Sequence, residues 1–231
     1  MRAMKHQGKA RQAGLKLILW TLVALLVLTA VGLVAAVVGM LAAAAAGFLF
    51  GAWAIFAVLC LWFFRDPNPR VPLDADVIVS PAHGKVDLVD ESVEPEFLGG
   101  PCRRVSIFLS IFDVHVQKAP TAGRIACVRR TPGEFLNAMR SESGARNENV
   151  FIGLESSERA GERIAIRLIA GAIARRIVPW VSAGEEVSRG ERISLIQFGS
   201  RVTVYLPASA RVEVQLGQHV RGGETVIARR G

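Results

Sequence analysis

From Leu17 to Phe64 the chain carries no charged side chain and no proline, and Thr21 and Thr29 are among its few polar residues. A helix over that run is about 70 Å long at 1.5 Å per residue. The hydrocarbon of a bilayer is only about 30 Å thick. One span is too few for the run and two fit, near 17–38 and 41–64. The turn is expected among Gly39, Met40 and the alanines that follow. The run is far longer than the apolar region of a cleaved signal peptide, and its length also argues against a buried hairpin of a soluble protein.

Cysteine is scarce: Cys60, Cys102 and Cys127 make an odd count with no CxxC pair. No zinc pattern and no disulfide framework follows from those spacings. They read as reduced, structural residues of a cytoplasmic protein, and no metal is expected. Tyr205 is the sole tyrosine, and no basic stretch is interleaved with stacking aromatics. The net charge of +8 therefore points away from nucleic acid. Lysine beyond the N-terminal tail is limited to Lys85 and Lys118. A pyridoxal phosphate enzyme needs a Schiff-base lysine, normally within an α/β pattern, and that pattern is missing. No lysine sits at a hairpin tip in a Met-Lys or Asp-Lys context, which argues against a swinging-arm carrier. No heptad run suggests a coiled coil.

What is present begins with charge at both ends of the apolar run. Arg2, Lys5, Lys9, Arg11 and Lys16 precede it without an acid, and Arg65 and Arg70 follow it. The positive-inside rule then places both ends in the cytoplasm. The same charges would attract anionic headgroups. Three segments result: a basic tail (1–16), a two-helix membrane hairpin (17–64) and a soluble domain (65–231).

From Val71 the pattern changes to short apolar runs punctuated by Gly and Pro. Val77–Val79, Val86–Val89, Val105–Leu109, Arg163–Ile169, Arg192–Ile196, Val202–Leu206 and Val212–Leu216 read as strands. The best helix signal is the short Gly133–Arg140. The soluble domain is expected to be mainly β with few short helices. Gly184-Glu-Glu-Val-Ser-Arg-Gly-Glu191 echoes Gly217-Gln-His-Val-Arg-Gly-Gly-Glu224, and Pro81-Ala-His-Gly84 echoes Pro120-Thr-Ala-Gly123. Repeated small β units sharing one core, as in barrel-sandwich folds, would explain both echoes; so would coincidence between Gly-rich turns.

Phe198-Gly199-Ser200 opens an alternating strand. Glycine there allows strained geometry and close approach to the peptide bond before Ser200. Such a Gly-Ser pair alone is no more than an ordinary turn. Phe63-Phe-Arg-Asp-Pro67, Ser80-Pro-Ala-His-Gly84, Phe108-Leu-Ser-Ile-Phe-Asp-Val-His-Val116, Ala170-Gly-Ala-Ile-Ala-Arg-Arg-Ile177 and Phe198-Gly-Ser-Arg201 accompany it in this order. Together they resemble the short bacterial and archaeal form of phosphatidylserine decarboxylase, over roughly residues 60 to 231.

The resemblance implies a chain that cuts itself between Gly199 and Ser200. The Ser200 hydroxyl attacks the Gly199 carbonyl, an ester forms, and elimination leaves a pyruvoyl group on the new end. The fragments would be residues 1–199 (β) and 200–231 (α), held as a heterodimer. The pyruvoyl ketone would form a Schiff base with phosphatidylserine and release CO₂, giving phosphatidylethanolamine at the cytoplasmic face of the inner membrane. His115 is the implied base, with Asp113 expected on the same face of a strand to orient it; a buried structural histidine is the alternative. His83 departs from the family's aspartate in Ser-Pro-Ala-Asp-Gly. It could be the processing base itself, or mark a relative that no longer cuts. Arg175, Arg176 and Lys118 are candidates for phosphate or carboxylate binding, although only one of the two arginines can face a site from an alternating strand. A membrane-tethered barrel-sandwich adaptor without catalysis remains the reading from another class.

Overall fold

The computed structural model describes residues 9–136, 146–172, 176–197 and 199–231. α1 (Lys9–Phe63) is one continuous helix of 55 residues. Alanine and leucine, both strong helix formers, dominate it. The hydroxyls of Thr21 and Thr29 donate back to the carbonyls of Leu17 and Leu25, at 2.9 and 2.8 Å. The turn expected at Gly39–Met40 is absent, and the two-helix hairpin is corrected to a single helix in this structure. A lone glycine costs about 1 kcal/mol relative to alanine in a helix. With no proline beside it, that is too little to break the flanking alanine turns. From Leu15 to Phe63 the helix is long and apolar enough to cross a membrane.

A β unit begins at Cys60. Its strands are β1 (Val77–Val79), β2 (Gly84–Glu94), β3 (Gly100–Leu109), β4 (Val116–Lys118), β5 (Gly123–Thr131), β6 (Asn149–Ser156) and β7 (Arg163–Ala170). They continue as β8 (Arg176–Pro179), β9 (Glu186–Val187), β10 (Arg192–Gln197), β11 (Ser200–Pro207), β12 (Arg211–Val212), β13 (His219–Val220) and β14 (Val226–Arg229). A curled eight-stranded sheet runs β13-β2-β3-β11-β7-β6-β5-β9, and two three-stranded sheets run β4-β10-β8 and β1-β14-β12. The strand expected over Val212–Leu216 stops at Val212, because Gln215 and Gln218 close a turn there. The second half of the helix expected over Gly133–Arg140 lies outside the described residues; in the first half Glu134 forms a bridge with Asn147.

Alternation fixes the core. Val105, Ile107 and Leu109 of β3, Val202, Val204 and Leu206 of β11, and Ile164, Ile166 and Leu168 of β7 are all buried in one cluster. Register puts Val202 opposite both Ile107 and Leu168, so the three strands present one apolar face. Ser200 shares the parity of Val202 and is likewise fully buried.

The sequence echoes correspond to a structural repeat. β2 pairs with β13 through Gly84 and Val220, and β5 pairs with β9 through Gly123 and Val187. Gly223 N–H donates to the Ser80 carbonyl at 2.7 Å, and Gly190 N–H to the Ala119 carbonyl at 2.8 Å, with φ +77° at both glycines. The halves grip each other reciprocally. Val79 N–H donates to the Pro120 carbonyl (3.0 Å), and Lys118 N–H to the Pro81 carbonyl (2.8 Å). Coincidence between turns does not produce such matched bonding.

Candidate active site

Ser200 is the first residue of β11, hydrogen-bonded between β3 and β7 opposite Leu109 and Ala170. Its hydroxyl is buried and has no hydrogen-bond partner among the described residues. An orphaned buried hydroxyl costs roughly 1–3 kcal/mol, so its retention calls for a role. Gly199, just before it, has φ +65° with open space where a Cβ would stand. Backbone conformation, not crowding, requires glycine there.

Both polar atoms of the Gly199 residue are held. Its N–H donates to His115 Nε2 at 3.3 Å. Its carbonyl, part of the bond to Ser200, accepts the Gly171 N–H at 3.1 Å. Gly171 follows β7 directly, within the motif that begins at Ala170, and sequence reasoning assigned it no role. The usable signal was a glycine placed at the end of the alternating Arg163–Ile169 run. Asn147 fixes that strand end: it is buried, and its amide donates to the Ala170 carbonyl at 2.7 Å and to the Leu136 carbonyl at 2.8 Å.

His115 is fully buried. Its Nδ1 lies 2.9 Å from the Asp113 carbonyl. A carbonyl can only accept, so Nδ1 carries the proton and Nε2 keeps its lone pair toward Gly199. Burial pushes this imidazole below its ordinary pKa, against the opposing pull of the Asp113 carbonyl and carboxylate. The Phe63 ring packs on the imidazole with centroids 4.2 Å apart. The His115 carbonyl is pinned by Ile196 N–H (3.1 Å) and the Gln117 amide (2.8 Å), and Gln117 is held in turn by the Ser194 hydroxyl (2.7 Å).

The expected strand face for Asp113 is corrected. Residues 110–113 form a turn, and the Asp113 carboxylate accepts from the Ser110 N–H (2.8 Å) and hydroxyl (2.7 Å). The backbone of Asp113, not its side chain, bonds the imidazole. His83 is half-buried, and its Nδ1 accepts the Gly222 N–H at 3.1 Å. Burial lowers its pKa, with Asp113 and Glu224 opposing. The neutral ring therefore carries its proton on Nε2, and its Nδ1 lone pair is engaged by the Gly222 amide.

Lys118 is fully buried and its ammonium lies 2.8 Å from the Asp66 carboxylate. Burial lowers the lysine's pKa and the pairing partly restores it. Arg192 also pairs with Asp66 and reaches Asn68 at 2.8 Å. This arrangement ties the Phe63-Phe-Arg-Asp-Pro67 motif to β4 and β10, and Lys118 is not a free cation for a headgroup. Arg176 is exposed and opposes Gln197, two residues before Gly199. Arg175 lies outside the described residues.

The model of the phosphatidylserine decarboxylase family matches residues 56–228. The chain belongs to the phosphatidylserine decarboxylase family. A protein of Symbiobacterium thermophilum named phosphatidylserine decarboxylase proenzyme is 44% identical over 187 residues, covering 78% of this chain and 86% of that protein. A Ruegeria pomeroyi protein of the same name is 43% identical over 190 residues, with the same coverage of both chains. One from Desulfotalea psychrophila is 41% identical over 167 residues, covering 72% of this chain and 77% of its own. Membership makes this phosphatidylserine decarboxylase relative a carboxy-lyase. Within the family match lie Ser200, Gly199, Gly171, His115 and His83.

Proposed function

We propose that this chain decarboxylates phosphatidylserine to phosphatidylethanolamine, using a pyruvoyl group that it makes from Ser200. One observation carries the reading: a buried hydroxyl without a partner among the described residues directly follows Gly199, whose N–H is held by His115 Nε2 and whose carbonyl is held by the Gly171 N–H. The relatives' proenzyme names support a precursor that is processed.

In this reading His115 Nε2 gives up its long bond from the Gly199 N–H and takes the Ser200 proton as general base. Oγ attacks the Gly199 carbonyl carbon, and the Gly171 N–H steadies the negative charge that grows on the oxygen. The C–N bond breaks as the proton passes to the nitrogen of residue 200, leaving an ester. Removal of the Cα proton and scission of the Cβ–O bond free the Gly199 carboxylate. Water then displaces ammonia from the dehydrated residue 200. The resulting carbonyl supplies an electron sink for loss of CO₂. The Asp113 carbonyl keeps the His115 ring in the required tautomer throughout. His83 has a different part: it caps the Gly222 amide and holds the turn beside the site.

Cutting would give fragments 1–199 and 200–231. Hydrogen bonds of β11 to both β3 and β7 favour their staying together as a heterodimer. For α1, a straight helix of 55 residues is about 80 Å long, well over the bilayer thickness of about 30 Å. Arg65 and Arg70, which follow the helix, favour an inner-membrane setting with the β unit on the cytoplasmic side. Arg176 is the remaining described candidate among the arginines for the anionic headgroup.

The deciding experiment is the denatured mass of the purified chain beside a Ser200→Ala variant. Two fragments meeting at Gly199/Ser200, the smaller with a blocked pyruvoyl end, are expected from the wild type only. A single uncut chain from native membranes would sink the reading and leave a non-processing relative.

A further inference from the structure

The turn at Ser110–Asp113 is closed by hydrogen bonds, yet its tip is apolar. Asp113 N–H donates to the Ser110 carbonyl at 3.0 Å, and the Asp113 carboxylate closes the turn on Ser110. Ile111 and Phe112, at the tip, are 48% and 69% exposed. Turn tips in water usually carry Gly, Asn, Asp or Ser, and an exposed Ile-Phe pair is a candidate contact surface. The turn is tied to the end of α1. Arg65 donates from Nη2 to the Phe112 carbonyl (2.5 Å) and from Nη1 to the Trp62 carbonyl (2.8 Å), with its guanidinium over the Trp62 ring at 4.4 Å. Leu61, Trp62 and Phe64 are themselves exposed.

We infer that the Ile111–Phe112 turn is a second membrane contact, seated in the interface of the same bilayer that α1 enters. The occupant follows from continuity. The exposed end of an apolar helix, an indole, an arginine and the turn are joined by hydrogen bonds into one surface. Tryptophan and arginine are side chains suited to the headgroup layer. The turn leads within three residues of Phe112 to His115, whose ring is bonded to the Asp113 carbonyl. Lipid contact would therefore set the site at headgroup depth through the segment that orients the imidazole. The inference rests on the membrane reading of α1, and its test separates the two.

The full chain is reconstituted in phosphatidylserine–phosphatidylcholine vesicles with a benzophenone amino acid at Phe112. Leu25 of α1 and Val93 of β2 serve as comparison sites. Val93 lies about 26 Å along β2 from Lys85, the residue that pairs with Phe108 next to the turn. Lipid adducts are expected at 112 and 25 and not at 93. Adducts at 25 without 112 overturn this inference alone. Absence at both overturns the membrane reading as well. A crosslink from 112 to a second copy of the chain makes the turn an oligomer contact and also overturns it. An Ile111→Ser, Phe112→Ser variant gives an independent check. Decarboxylation of long-chain phosphatidylserine in vesicles is expected to fall about tenfold, the effect of about 1.4 kcal/mol. Turnover of a short-chain, monomeric phosphatidylserine should stay at the wild-type level. Equal rates on both substrates would count against the contact.

Discussion

His115 presents its unprotonated Nε2 to the Gly199 amide at 3.3 Å while its Nδ1–H is held by the Asp113 carbonyl at 2.9 Å. The ring is thus oriented by backbone, and no carboxylate at position 83 is needed to hold it. The two histidines should separate cleanly. His115→Ala is expected to leave the chain uncut. His83→Ala is expected to cut, while leaving the Gly222 amide without its partner. That loss costs about 1 kcal/mol, or roughly 2–4 °C in Tm for a domain of this size. Intact mass and thermal unfolding of both variants check this; an uncut His83→Ala chain would return the base role to His83.

The pH dependence of cutting follows from the same burial. With His115 as the proposed base, cutting would need its neutral form, and desolvation holds its pKa below the ordinary value, which is about 6.5. The rate should be level from pH 8 to about 6.5 and decline only below that. Stability has the same sign. As pH falls the unfolded chain takes up the proton first, so the contribution of the neutral ring is present above about 6.5 and is lost through the lower folded value. Single-turnover processing of freshly refolded precursor across pH 5–8 measures the profile. A midpoint above the ordinary imidazole value would contradict it.

Gly171 acts through its backbone, so a side-chain change is the wrong probe. Replacing residue 171 by glycolic acid turns its amide into an ester and removes only the N–H. Loss of an oxyanion donor typically slows a reaction about 10²–10³-fold, and cutting should slow by that order. The same replacement at Gly217, whose N–H donates to the Val86 carbonyl, should leave the cutting rate near wild type. Equal slowing at both sites would show a general loss of folding.

Much of this was legible in the residues. Strict alternation in Val202–Leu206 and Arg163–Ile169 gives β11 and β7 and their buried faces. The paired G-x-x-V-x-x-G-E segments mark a repeat because each needs two left-handed glycines at matching places. β6 was missed, since Asn149–Leu154 is buried on both faces and shows no alternation. The Asp113 geometry was missed because Asp-Val-His has the spacing of a strand, whereas Ser110 captures the carboxylate into a turn. The single helix was missed because bilayer thickness entered the estimate and local propensity did not. Lys118 read as a cation for substrate because its partner Asp66 lies 52 residues away in sequence.

The last prediction concerns how the fragments stay together. Arg230 is almost wholly buried, and it bonds the Glu162 carboxylate at 2.9 Å, Glu158 at 2.9 Å and the Thr121 hydroxyl at 2.7 Å. All three partners lie before the proposed cut, whereas Arg230 lies after it. Removing one member of a buried ionic cluster costs about 3–5 kcal/mol, because it leaves uncompensated charge. Before cutting, Arg230→Ala weakens folding within one chain. Afterwards, the same loss also weakens association between fragments, alongside the sheet bonds of β11, β13 and β14, the Arg201–Asp87 and Arg229–Asp74 pairs and the shared apolar core. Arg230→Ala should therefore still cut, and its residue 200–231 fragment should separate at a lower urea concentration than in the wild type. Size exclusion in graded urea, read by mass, follows this directly. Co-elution to the same urea concentration in both proteins would mean that β11, clamped between β3 and β7, holds the pair without the arginine.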